Sequence, residues 1–142
     1  MAESKYLKYV LTDPKPNRPV PPLPPGTVTD MIYLDDDVIK GAFNVICAWF
    51  WPRRDSLPII PEPHSHVNNE VVAFFGSDPD DPHNLCAEVE IWMEDEKLTL
   101  TKSCAVFIPA GMKHNPLKII RIDRPVFHFS ILTESMWKFD NK

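Results

Sequence analysis

The chain has 142 residues, 44% of them hydrophobic and 25% charged, the size and composition of one globular domain that buries a core without staples. Its formal net charge is −5 and Arg53-Arg54 is its only adjacent basic pair, which argues against a nucleic-acid backbone as partner, since that needs a basic face. The three cysteines, Cys47, Cys86 and Cys104, form no C-x-x-C pair and read as reduced thiols. Charges interrupt the first ten residues, and the apolar runs are too short to cross a bilayer. The expected location is the cytoplasm, with no membrane partner.

Residues 1–29 read as a proline-rich extension, with seven of the sixteen prolines between Pro14 and Pro25. Proline fixes φ and removes a donor, so this stretch favours polyproline II and is expected to lie as an arm over a surface. From residue 30 to 134 the pattern is all-β. Residues 31–34 form a short strand that ends at the acids Asp35, Asp36 and Asp37. Residues 44–51 (NVICAWFW) are apolar on both faces. One face packs the core. The other, carrying Trp49 and Trp51, is either a subunit interface or a second packing face.

Residues 58–67 are extended, because Pro58, Pro61 and Pro63 disfavour helix. Residues 70–75 (EVVAFF) form a strand stopped by Gly76, followed by the polar turn 77–84. Along 87–93, Val89, Ile91 and Met93 alternate with Glu88, Glu90 and Trp92. Residues 98–101, 105–108, 117–122 and 126–132 are further short strands at close spacing, the look of a sandwich or barrel. Residues 135–142 are a tail, and 134–139 is the one stretch suited to a helical turn.

The chemistry is concentrated at His64-Ser65-His66. Residues two apart on an extended chain share a face, so both imidazoles aim at one point. Glu70 follows a three-residue turn and opens the next strand, where a hairpin returns its carboxylate beside the rings. His114 lies far along the chain, in Pro109-Ala110-Gly111-Met112-Lys113-His114. Imidazole and carboxylate together suit first-row divalent metals. His128 shares a strand face with Val126 and Ser130 and is a candidate acid/base group or substrate contact, if that face lines a cavity. Glu62 is a second candidate base. The bland reading of His128 is a core histidine with its hydrogen bonds satisfied.

H-x-H-x-x-x-E followed about forty residues later by P-x-G-x-x-H resembles the two motifs of the cupin superfamily, over roughly residues 44–132. Pro58, Ser103 and Lys118 stand where that family usually has glycine, glycine and asparagine, and Gly76 falls one position early. The resemblance implies a single-domain jelly-roll barrel with His64, His66, Glu70 and His114 as ligands of one divalent transition metal (Fe, Mn, Ni, Co or Zn). It also implies a homodimer, for which the arm and the Trp49/Trp51 face offer the surface. The implied activity is that of a metal-dependent enzyme acting on a small oxygenated molecule: a diketone, hydroxy-keto acid or phenol. Dioxygenase chemistry ranks first. Non-redox hydrolysis, isomerisation or decarboxylation is the alternative, and a small-molecule binder without turnover is a third reading.

Overall fold

A computed structural model describes residues 4–14 and 22–133. Residues 1–3 and 15–21 of the expected proline-rich arm and the suggested helical turn at 134–139 lie outside the described residues. Among the described residues one 3-10 turn, Leu7–Tyr9, precedes nine strands: β1 (Val28–Leu34), β2 (Asn44–Phe50), β3 (Leu57–Ile60), β4 (Glu70–Gly76), β5 (Asn84–Met93), β6 (Glu96–Lys102), β7 (Cys104–Ile108), β8 (His114–Ile122) and β9 (Val126–Leu132). Among the described residues no helix is long and apolar enough to cross a membrane.

The strands form two antiparallel sheets. One has the order β1-β2-β9-β4-β7, the other β3-β8-β5-β6. Their inner faces enclose the core, and period-two alternation decides what enters it. On β5, Leu85, Ala87, Val89 and Ile91 are buried while the intervening residues are not. On β2, Asn44, Ile46, Ala48 and Phe50 point inward. The second sheet packs on that same side, so the outward face with Trp49 is not a sheet-to-sheet contact. Its aromatic residues pack on one another instead: Trp49 stacks on Trp51 at 6.0 Å and meets Phe127 at 5.1 Å.

Several strands start earlier than their patterns suggest, β1, β5 and β8 by three residues each. β8 begins at His114 because that residue pairs with Met93 of β5, through a segment whose Asn115-Pro116 bond is cis. β1 begins at Val28, opposite Phe50, and carries a bulge between Asp30 and Ile32. The unexpected Pro58 sits on β3 opposite Lys118 of β8. β3 is an edge strand, the position where a sheet tolerates proline. Ser103 closes the turn after β4: it accepts from Gly76 N at 2.9 Å and donates to Pro82 O at 2.7 Å.

Candidate metal centre

Backbone pairing brings the two distant motifs together. His64 and His114 form an isolated antiparallel bridge, with N–H···O bonds of 3.0 and 2.9 Å in the two directions. The chain reaches His114 through Pro109-Ala110-Gly111-Met112, closed by Met112 N donating to Pro109 O at 3.0 Å. Gly111 has φ +81°, which the third position of a type II turn requires and which L side chains rarely adopt. The turn is tied to the first motif: Gly111 N donates to His66 O at 2.8 Å, and Ala110 N donates to Asn69 Oδ1 at 2.8 Å. The glycine of P-x-G thus has a local geometric reason.

The side chains converge as a result. Ring centroids are 4.8 Å apart for His64 and His66, 4.5 Å for His64 and His114, and 5.3 Å for His66 and His114. One ring nitrogen from each lies within 4.8 Å of the others, a spacing that suits a shared metal ion. Glu70 opens β4, and its Oε1 is 3.1 Å from His114 Nε2 and 4.0 Å from His66 Nε2. All four residues are at most 3% exposed.

The donor set fits a divalent transition metal in its details. His64 Nδ1 is 3.2 Å from Glu62 O and His114 Nδ1 is 3.0 Å from Met112 O. A carbonyl only accepts, so each Nδ1 carries the proton and each Nε2 presents a lone pair to the cluster. Burial, reinforced by the neighbouring His114 ring, lowers the His64 pKa from 6.5 to about 4. At neutral pH that imidazole is already in the form that ligates. Ser130 Oγ donates to Glu70 Oε2 at 3.1 Å, which leaves Oε1 turned to the histidines.

This cluster sits at one end of a cavity of about 340 Å³ between the sheets. Away from His114 and Asn115, the wall from the four-stranded sheet is apolar, with Ile59, Ile60, Ile91 and Leu117. The wall from the five-stranded sheet includes Asp30, Ala48, His128 and Ser130. Pro22 and Leu23 also line the cavity, so the end of the proline-rich segment lies against its own barrel.

His128 does face the cavity. Its Nδ1 is 3.0 Å from Ala73 O, and its ring stacks between Phe50 (5.1 Å) and Phe74 (4.8 Å). It lies one inward position beyond Ser130, about 7 Å farther along β9 than the residue that touches Glu70. Glu62 does not face the cavity. It is exposed, because a bend between Pro61 and Pro63 interrupts the alternation. Its side chain is not among the residues that line the cavity, and its carbonyl is what meets His64 Nδ1. Asp30, Asn115 and Ser130 are the polar residues of the site that pattern reading missed. Asp30 looked like the residue before a strand, and only the bulge turns it inward.

Two antiparallel sheets closed around this cavity give the chain the jelly-roll barrel expected of a cupin, and solved structures share that fold. Recombinant oxalate oxidase in complex with glycolate matches it with a TM-score of 0.50 at 12% identity, over 82% of this chain and 55% of that one. An uncharacterised double-stranded β-helix protein from Klebsiella pneumoniae matches at 0.49 with 13% identity, over 87% of this chain and 91% of that one. KdgF from Halomonas matches at 0.42 with 16% identity, over 80% and 86%. The chain spans about half the length of the oxalate oxidase chain. At these identities the likeness concerns the fold. No family model matches the sequence, and no curated protein does.

Proposed function

We propose that the protein is a metal-dependent cupin enzyme of the dioxygenase type, acting on a small oxygenated organic substrate chelated at His64, His66, Glu70 and His114. The observation that carries the reading is the buried convergence of three imidazoles, with a carboxylate oxygen 3.1 Å from one of them, at the end of a largely apolar cavity. The histidines and Glu70 would hold one divalent ion of Fe, Mn, Ni, Co or Zn. A four-ligand set on a six-coordinate ion leaves two places for adjacent oxygens of a diketone, hydroxy-keto acid or phenol. When bound, the ion supplies Lewis acidity and, if redox-active, electrons for oxygen chemistry.

The chain's own residues do the rest. Ser130 orients Glu70, the carbonyls of Glu62 and Met112 set the imidazole tautomers, and the isoleucine and leucine wall keeps bulk water from the reacting end. The test is oxygen uptake by protein loaded with each metal, against a panel of diketones, hydroxy-keto acids and catechols. Substrate-dependent uptake that His66→Ala abolishes supports the proposal. Conversion without oxygen would replace it by hydrolysis, isomerisation or decarboxylation. Binding without conversion would leave a small-molecule carrier. A protein that retains no metal after supplementation would remove both enzyme readings.

A further inference from the structure

We propose that Leu23, held between Pro22 and Pro24, is a fixed cap on the mouth of the cavity and sets the girth of the molecules that reach the metal centre. This inference rests on the reading of the cavity as the substrate site.

Burial locates the mouth. At the metal end the lining is closed, with Glu70, His114 and Asn115 at most 6% exposed. The strands in the middle of both sheets contribute buried residues, such as Ile46, Ala48 and Ile91. Apart from His128, every lining residue that solvent reaches lies on β1, on β3 or in the segment before β1. β1 and β3 are edge strands of different sheets and do not pair with each other. Two packed sheets are sealed where their inner side chains interdigitate, so access runs between these edges. Pro22 is exposed and Leu23 half-buried, yet both line the cavity. A residue that meets solvent on one side and the cavity on the other stands at the boundary between them.

Local sequence explains why the chain is held there. Pro24-Pro25-Gly26-Thr27 has the form of a type II turn, closed by Thr27 N donating to Pro24 O at 3.2 Å, with Gly26 at φ +80°. The turn reverses the chain, so that Leu23 before it and Val28 after it line the same cavity. Thr27 anchors the turn and is 3% exposed. Its carbonyl accepts from Trp51 N at 3.0 Å, and its Oγ1 accepts from Arg53 Nη1 at 2.9 Å. Arg53 in turn exchanges N–H···O bonds of 3.0 and 2.8 Å with Ile122 of β8. The base of the cap is therefore tied to both sheets.

The cap itself is stiff. Proline locks φ at positions 22, 24 and 25, and Pro24 confines the backbone of Leu23 to extended conformations. The obstacle at the mouth is thus a side chain in a fixed place. With Val28, Ile59 and Ile60 it forms an apolar collar. A slender apolar body passes the collar, whereas a bulky one meets Leu23. The complementary substrate carries its chelating oxygen pair on a slender apolar body.

Hydroxamates test this, since the chelating group stays constant while the body varies, and Co²⁺ reports their binding in its visible spectrum. Protein reconstituted with Co²⁺ is mixed rapidly with acetohydroxamate, octanohydroxamate or adamantyl hydroxamate. The natural protein is expected to take up the octyl form about tenfold faster than the adamantyl form, within the usual span of association rates at one site. Leu23→Ala should remove most of that difference by speeding the adamantyl form, and Leu23→Trp should slow the octyl form. Acetohydroxamate rates and the ligand-free cobalt spectrum should stay unchanged in both variants. In the zinc-loaded natural protein, octanohydroxamate should shift the Leu23 methyl resonances and acetohydroxamate should not, a measurement that needs no variant to fold. Equal rates for the slender and bulky forms, Leu23 methyls unmoved by the octyl chain, or a rate difference that survives both substitutions overturns the proposal and leaves the cavity reading intact. Failure of every hydroxamate, acetohydroxamate included, to bind the metal-loaded protein overturns the cavity reading and the proposal with it.

Discussion

At the scale of single residues, the metal centre depends on groups that set the lone pairs as much as on the ligands. His66→Ala removes a ligand and should lower metal affinity more than about a hundredfold, whereas Ser130→Ala removes only the hydroxyl on Glu70 Oε2 and should lower it about tenfold. Competition with a chromophoric chelator distinguishes the two. Acid acts on the same residues. His64 titrates near 6.5 in the unfolded chain and near 4 in the folded metal-free protein. Between those values the unfolded chain binds the extra proton, so the metal-free fold loses stability as pH falls from about 6.5 to about 4, then loses no more from this group. Urea midpoints across that range should fall less steeply in His64→Asn than in the natural protein. The convergence of His64, His66, Glu70 and His114 was legible in the sequence, because H-x-H-x-x-x-E and P-x-G-x-x-H are spacings that extended backbone and a type II turn translate directly into geometry. Asp30 was not legible, because a bulge changes which face a residue takes without changing its neighbours in sequence.

At the scale of elements, the strands follow the alternation of apolar residues closely, and the departures have local causes. β8 starts three residues before the apolar run 117–122, since its beginning is fixed by pairing of His114 with His64 and Met93 and not by hydrophobicity. β4 ends at Gly76 for a steric reason: a Cβ there would lie 2.1 Å from Asn84 O, a backbone atom that cannot swing aside. Gly76→Ala should therefore destabilise the protein by about 1–3 kcal/mol, the range for overpacking, although the new side chain is one methyl group. Thermal or urea unfolding measures it. A Gly76→Ala variant as stable as the natural protein would show that the close approach of the β5 backbone is not what demands glycine.

At the scale of the whole molecule, the outward face of the five-stranded sheet carries no charge. β2 contributes Val45, Cys47 and Trp49, β9 contributes Phe127, Phe129 and Ile131, and β4 contributes Val71 and Phe75. Phe107 of β7 extends it and is 57% exposed. Four strands of seven residues and one of five, about 4.8 Å apart, give a footprint of roughly 500 Å². A continuous apolar patch of that size commonly marks an interaction site. A second copy fits it better than a partner recognised by charge, because a two-fold axis can lay this face on itself without burying an ion, although each chain has a net charge of −5. The footprint is below the roughly 800 Å² per partner of a standard interface, so the expected assembly is a homodimer that dissociates on dilution. Sedimentation velocity over a concentration series should show that equilibrium. Trp49→Lys and Phe129→Lys should each yield a monomer with unchanged circular dichroism and metal content, since both side chains lie on the far side of the sheet from the cavity. A natural protein that sediments as a monomer at every concentration would leave this face to some other cover.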